Sequence, residues 1–403
     1  MLRSITIIVI ALGCSLAAAA QTFVLQGKVT DKENGNAVAG ASVFLSNTSI
    51  GTAANAKGEF VLHNVPTGKF DLVISSLGYE TYVVTINAQQ AGQPLTIQLK
   101  PKANELASVV VGTYDKDGWT KWGKTFTDDF IGASFNAASC SIKNYGILKF
   151  RYSKRKNYLE AFADEPLVIE NKALGYTIHY KLENFYHDFD KNTLGYEGFP
   201  LFEPMSGNNR KQKRWREKRL DAYYGSEMHF MRCLYRNLLS ENGFEMRRVE
   251  KKPNIEKQRV QALYKYLSGA DQNIDFESRL PKDSLDYYQK ILRQPSVTTI
   301  LYNTLLPGDS VAYGQDSVTA ALYFKDYLQI VYKKKKEPYE YTSKQMTPDS
   351  PSGFITSLTT LINNRPVFVA YNGAFYMPQD MLTSGYWAWS EKVCNMLPFD
   401  YWP

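Results

Sequence analysis

Between residues 26 and 79 short alternating apolar runs are cut so regularly by turn residues that a small β-sandwich is the fold they favour. Residues 23–30, 41–45, 59–62, 70–75 and 82–86 each alternate with period two or run apolar, are rich in β-branched side chains, and end at Gly, Pro, Asn or Asp. No helical period competes there. Asn34-Gly35 and the corner Asn55-Ala56-Lys57-Gly58 supply residues that tolerate positive φ, and Pro66-Thr67-Gly68 is a turn with φ preset at its proline. The nearly continuous apolar run at residues 70–75 suits a central strand, and Leu77-Gly78-Tyr79 reads as the corner after it. Tyr79 is expected as a buried corner ring with its hydroxyl bonded to backbone.

On Gly27-Lys28-Val29-Thr30-Asp31, residues 38–43, Gly51-Thr52, Gly58-Glu59-Phe60, Val65-Pro66-Thr67-Gly68 and Leu77-Gly78-Tyr79, the segment 23–100 resembles the carboxypeptidase-like regulatory domain. That family is a seven-stranded, transthyretin-like sandwich often found ahead of outer-membrane uptake receptors. The resemblance implies a folding and docking module with no catalytic residues of its own. Its wider superfamily includes carbohydrate-binding sandwiches, which keeps sugar binding open.

Arg3, the apolar run 5–12 and Ala17-Ala18-Ala19-Ala20 before Gln21 give the charged, apolar, small-residue order of a secretory signal, with cleavage expected before Gln21. Cys14 offers lipidation as the alternative, although Ala11 stands where a larger aliphatic residue is usual. No later stretch has the 18 or so consecutive apolar residues of a spanning helix. The expected location is therefore outside the cytoplasm, in the periplasm, on the outer membrane or at the cell surface, with no transmembrane segment in the mature chain. Cys140, Cys233 and Cys394 remain; their odd number leaves at least one thiol free, and none has CxxC spacing. Buried structural thiols are the expectation, one disulfide the alternative.

The 403 residues, 44% hydrophobic and 22% charged, need more than one core. The expected division is a signal at 1–20, the sandwich at 21–100, a linker at 101–118 and a larger domain at 119–403. The fold class is mainly β with α+β: a seven-stranded Ig/transthyretin-like sandwich, then an antiparallel-sheet domain with helices. Twenty-eight Tyr, 21 Phe and 6 Trp favour β-rich packing over a helical bundle. Residues 102–112 are similar to the segment that precedes plug and barrel in TonB-dependent receptors, yet the chain beyond is too short for some 22 strands. Residues 105–112 are expected as an ordinary strand or linker.

In the second region, runs at 147–152 and 158–163 flank the turn 153–157, and runs at 167–170 and 176–185 extend the sheet. Ser226 is a cap for a helix over 227–241, with Phe230, Met231, Leu234, Leu238 and Leu239 as its stripe and Gly243 past its end. Helices at 255–267 and 284–293 follow, then strands at 318–324, 327–333, 354–362 and 366–372, with Asn363-Asn364 and Asn372-Gly373 as turns. Through residues 163–171, Leu174-Gly175-Tyr176, Ala222-Tyr223-Tyr224-Gly225-Ser226, His229-Phe230, Gly385-Tyr386-Trp387 and Leu397-Pro398-Phe399-Asp400-Tyr401, this region is similar to the C-terminal part of exported proteins that carry the same regulatory domain. That resemblance implies architecture, not an activity.

Catalytic motifs fail. None of His63, His179, His187 and His229 opens His-x-x-Glu or HExxH, so zinc peptidase chemistry has no ligands. Asp188-Phe189-Asp190-Lys191-Asn192 resembles a calcium loop but has Thr193 where Gly belongs, so a solvated hairpin turn is expected. Gly132-Ala133-Ser134-Phe135-Asn136 lacks the closing glycine of a nucleophile elbow. No catalytic residue, cofactor or metal is assigned.

Residues 210–260 hold fifteen Lys/Arg against seven Asp/Glu, a surplus larger than the whole chain's +7. Arg210, Lys211, Lys213, Arg214, Arg216, Lys218 and Arg219 lie around Trp215 on an expected helix. For an exported chain such a face suits an anionic envelope surface rather than nucleic acid, with a solvated helix face as the plain alternative. The lysines at 333–336 read as a hairpin tip or edge-strand guard.

The expected function is an exported, non-catalytic binding or assembly module of the bacterial cell envelope, its sandwich docking to an envelope protein partner and its second domain recognising. Glycan binding is the alternative, with Trp119, Trp122, Trp387 and Trp389 as stacking rings against buried core. A hydrolase in the C-terminal domain is the third reading; it requires His179, His187, Asp188 or Asp190 to converge with Glu197 in a cleft.

Overall fold

The turn-bounded runs of the N-terminal segment become seven strands in two sheets. One sheet has the order β4-β1-β7, from β1 (Thr22–Asp31), β4 (Glu59–Pro66) and β7 (Leu95–Leu99). The other has the order β3-β2-β5-β6, from β2 (Ser42–Leu45), β3 (Gly51–Ala53), β5 (Phe70–Ser75) and β6 (Tyr82–Ile86). Their inward residues, Leu25, Val29, Phe60 and Ile97 from one and Val43, Leu45, Leu72 and Ile74 from the other, form one core. The apolar run of β5 is interior, between β2 and β6. The Tyr79 hydroxyl donates to the Asp31 carboxylate (2.9 Å) rather than to backbone. Asp31 prefers that role because it also accepts the Glu33 and Asn34 N–H groups, which hold its carboxyl below its usual range.

This computed structural model describes residues 22–102, 114–270, 281–316, 318–343, 353–376 and 378–403. The expected signal with Cys14 and the run 105–112 lie outside the described residues.

Past residue 114 two further cores appear. The first lies on a six-stranded sheet made of β8 (Cys140–Ile142), β9 (Lys149–Ser153), β10 (Tyr158–Phe162), β11 (Leu167–Asn171), β12 (Tyr176–Asp188) and β13 (Thr193–Pro204). Helix α1 (Gly118–Phe126) and the turn after it press Phe126 and Phe130 onto Phe150, Phe185 and Tyr180 of that sheet. The calcium-like run is the tip of the β12–β13 hairpin, where Asp188 accepts the Lys191 N–H (3.0 Å).

The second core joins two sheets around Trp387, Phe230, Leu328 and Val367. One has the order β15-β14-β18-β19-β22, from β14 (Phe244–Pro253), β15 (Val297–Leu305), β18 (Tyr327–Lys336), β19 (Phe354–Leu361) and β22 (Met381–Gly385). The other runs β16 (Ala312–Gly314), β17 (Thr319–Leu322), β20 (Val367–Ala370), β21 (Phe375–Tyr376). The neighbouring runs expected at 318–324 and 327–333 thus separate: β17 pairs with β20, and β18 with β14 and β19. Lysines 333–336 end an interior strand, so they guard no edge. Lys334 donates to the Glu241 carbonyl (3.1 Å) and Lys335 pairs with Asp221 (2.7 Å).

Helix α2 (Asn209–Tyr223) starts at Asn208, whose side chain accepts the Lys211 N–H (3.0 Å). Helix α3 (Glu227–Tyr235) starts at Ser226, whose hydroxyl accepts the His229 N–H (3.1 Å). The single helix expected over 227–241 ends early because Asn237 takes φ 55°, and α4 (Leu239–Asn242) restarts after it. Helices α5 (Ile255–Ala270) and α6 (Lys282–Arg293) lie between β14 and β15 in sequence.

The sandwich is bolted to the second region through its β2–β3 turn. The Asn47 N–H donates to the Pro200 carbonyl (2.8 Å), the Phe202 N–H to Thr48 (2.9 Å), and the Phe399 N–H to Asn47 (2.6 Å). Ser49 donates through its N–H (3.0 Å) and its hydroxyl to the Asp400 carboxylate. The Tyr376 hydroxyl reaches the Lys69 carbonyl (2.7 Å).

Candidate functional site

Where the sandwich meets the second region lies a half-open pocket of about 580 Å³. Ser46, Asn47, Lys69, Phe70 and Asp71 close it from the sandwich. Tyr180, Glu183, Tyr196, Glu197 and Phe199 on β12 and β13 form its floor, and Glu227, Tyr376, Glu391 and Lys392 complete the wall. A polar chamber of about 170 Å³ adjoins it; Ala222, Ser226, Glu391 and Asn395 line both.

Two carboxyl groups dominate this wall. Glu227 opens α3 directly after the Ser226 cap, and Glu391 follows the short helix Tyr386–Ser390. The Glu227 N–H donates to Glu391 Oε1 (3.3 Å), so the fold places both side chains together. Both are half-buried, and neither joins an ion pair among the described residues. Burial first, and the charge of Glu391 second, push the Glu227 carboxyl up to about 8. Burial pushes Glu391 up to about 7, opposed by hydrogen bonds from the Glu227 N–H and the Ser390 hydroxyl. Near neutral pH the pair therefore holds protons and can both donate and accept hydrogen bonds. Lys392, beside it, is held below its ordinary value by burial, with Nζ 5.7 Å from the Tyr196 ring centroid. The Tyr196 hydroxyl reaches the Glu391 carbonyl (3.3 Å).

Three of the four indole rings expected to stack on sugar, Trp119, Trp122 and Trp387, are elsewhere, spent on packing. Trp119 stacks on Tyr145 (4.7 Å), and Trp122 donates to Asp115 (2.7 Å) against Tyr152. Trp387 is 1% exposed and donates to the Gly225 carbonyl (2.8 Å), so no ligand reaches it. Trp389 lines the smaller chamber beside Tyr341 and Tyr386.

The cationic face is likewise divided. Trp215, expected within the cationic face, is buried and donates to the Lys172 carbonyl (3.0 Å), which removes it from that face. Arg219 lies on the Tyr176 ring (4.0 Å) and donates to the Leu174 and Gly175 carbonyls (2.7 and 3.1 Å), an internal role. Arg214 is exposed, as are Arg210, Lys211, Lys213 and Arg216. Gly175 makes the Trp215 seat: it has φ +72°, and a Cβ there would lie 2.3 Å from Trp215 Cδ2. Gly175→Ala is expected to cost about 2–4 kcal/mol through left-handed strain plus overpacking. A urea midpoint equal to that of the parent chain would refute this account of the seat.

The polar residues required of a hydrolase cleft are dispersed. His187 bonds Asp129 (2.7 Å), His179 bonds Glu203 (3.3 Å), Asp188 pairs with Lys191 (3.0 Å), and Asn157 donates to Asp190 (2.7 Å). Of the expected set only Glu197 lines the large cavity. Cys140, Cys233 and Cys394 are free, and burial pushes the Cys233 and Cys394 thiols up to about 11. Among the described residues no three His, Cys, Asp or Glu side chains cluster as a metal site, and no helix is long and apolar enough to cross a membrane.

Glu227 and Glu391 carry no sequence signal of function. Glu227 after Ser226 reads as an ordinary acidic first turn, and Glu391 sits in a run with no motif. Residues 25–111 match the profile of the CarboxypepD_reg-like domain family. The N-terminal sandwich is thus a carboxypeptidase-like regulatory domain, a non-catalytic β module. No curated protein matches the chain.

Proposed function

We propose that this chain, headed by a CarboxypepD_reg-like domain, is an exported, non-catalytic binding protein of the cell envelope that seats a glycan between its sandwich and its second region. The cavity of about 580 Å³ carries this reading, because its size falls in the 300–1,000 Å³ range of small-ligand sites. Tyr180, Tyr196, Phe199 and Tyr376 contribute aromatic surface, and Asn47, Glu227, Glu391 and Asn395 contribute groups that can pair with hydroxyls. Export is supported by the charged, apolar and small-residue order at the start of the chain. The sandwich's β2–β3 turn engages its own second region, so recognition falls to the junction rather than to a separate docking face. The exposed cations of α2 favour residence near anionic head groups or lipopolysaccharide phosphates.

Calorimetric titration of the mature chain with soluble envelope and capsular oligosaccharides tests this. Glu197→Gln and Phe199→Ala, on the cavity floor, are expected to weaken binding at least about ten-fold, equal to about 1.4 kcal/mol, with the unfolding midpoint unchanged. No binding by the parent chain, or unchanged binding by both variants, would defeat the proposal.

A further inference from the structure

Strand β15 is the outermost strand of its sheet, and among the described residues it pairs with β14 alone. Its sequence, Val-Thr-Thr-Ile-Leu-Tyr-Asn-Thr-Leu, has neither charge nor proline, and every residue but Ile300 is exposed. Val297, Leu301 and Leu305 are 42, 45 and 50% exposed. Edge strands are normally shortened, charged or interrupted by proline, because their free N–H and C=O groups template pairing with another chain. At nine residues β15 has no charge and no proline along its length, and its one irregularity is a register shift against β14 between Leu301 and Leu305.

We propose that two copies of this chain pair antiparallel through β15 about a two-fold axis at Leu301. The strand has nearly the same chemistry in both directions. The axis sets Val297 opposite Leu305, Thr298 opposite Thr304, Thr299 opposite Asn303, Ile300 opposite Tyr302, and Leu301 opposite itself. Apolar meets apolar and polar meets polar at every step, including a Thr–Thr and an aliphatic–aromatic pair of the kind that stabilise sheets. A second copy supplies this match by symmetry, which an unrelated strand would not.

Charge agrees. No like charges meet on the strand itself, and one strand inward Arg248 pairs with Asp326 (2.6 Å), Lys252 with Glu250 (3.4 Å), and Lys251 lies over the Tyr327 ring (4.3 Å). The register against β14 is regular over Val297–Leu301 and shifts between Leu301 and Leu305, so the strand bends beyond Leu301 and the regular half of the edge carries the contact.

Sedimentation equilibrium of the full mature chain tests the pairing together with two substitutions at Leu301, which is exposed and outside every core. The parent chain is expected to be dimeric. Leu301→Lys, which sets two ammonium groups face to face, is expected to raise the dimer dissociation constant at least about ten-fold with an unchanged unfolding midpoint. Leu301→Cys is expected to cross-link to its symmetry mate under mild oxidation, because directly opposed strand residues lie within disulfide reach. Val24→Cys, on the exposed face of the sandwich, is the control that should not cross-link. A parent chain that stays monomeric, a Leu301→Lys dimer as tight as the parent's, or Leu301→Cys cross-linking no faster than Val24→Cys would each overturn the proposal.

Discussion

Replacing Arg232 by methionine is expected to destabilise the chain by about 2–4 kcal/mol, the cost of leaving its two carbonyl acceptors unpaired. Arg232 is 1% exposed on α3. Its Nε donates to the Asn372 carbonyl (2.7 Å) and Nη2 to the Phe399 carbonyl (3.1 Å), and its guanidinium lies 3.9 Å from the Trp402 ring centroid. One cation thus ties α3 to the turn after β20 and to the segment that closes the cavity. Methionine replaces part of the volume but strands the buried Asn372 carbonyl and the half-buried Phe399 carbonyl. Arg232→Lys should recover little, because an ammonium cannot span both acceptors as a planar fork does. Chemical denaturation monitored by tryptophan fluorescence provides the measurement. A methionine variant as stable as the parent would mean that packing alone holds this junction.

The second large effect is a pH dependence. Glu227 and Glu391 are raised to about 8 and about 7 from a carboxyl value of 4.5. Between 4.5 and those values the unfolded chain has lost protons that the folded chain keeps, so folding takes up protons and stability falls as pH rises. The slope is at most about 1.4 kcal/mol per pH unit for each proton, and the two are lost as a coupled pair. The double variant Glu227→Gln/Glu391→Gln should flatten the stability profile between pH 5 and pH 8, gaining most over the parent at pH 8, while weakening glycan binding. Parallel stability profiles for parent and variant would exclude the carboxyl pair as the source. Stability gained where binding is lost is the usual mark of groups retained for function.

Much of the sandwich was legible because its turns are local: Asn34-Gly35 and the 55–58 corner fix where strands end, whatever lies around them. Strand β3, only Gly51–Ala53, is too short to show a period and exists because β2 gives it a partner. Beyond residue 114 pattern identifies elements but not their neighbours. Runs at 318–324 and 327–333 look like a hairpin, yet tertiary pairing sends them to different sheets. Trp119, Trp122, Trp387 and Trp389 were read both as ligand platforms and as core, and Trp215 as part of the cationic face; packing took Trp215 and Trp387 because large rings fill interiors that smaller side chains cannot. Glu227 and Glu391 stand 164 residues apart, and only the folded chain brings them together.

The bolt between Ser49 and Asp400 joins positions 351 residues apart. Contacts of such separation form slowly and form last. The sandwich has its own core and can fold early, whereas the pocket lacks part of its wall until residues 391–399 have swung back onto the 46–50 turn. A chain cut before residue 391 would therefore present a folded sandwich beside an incomplete pocket.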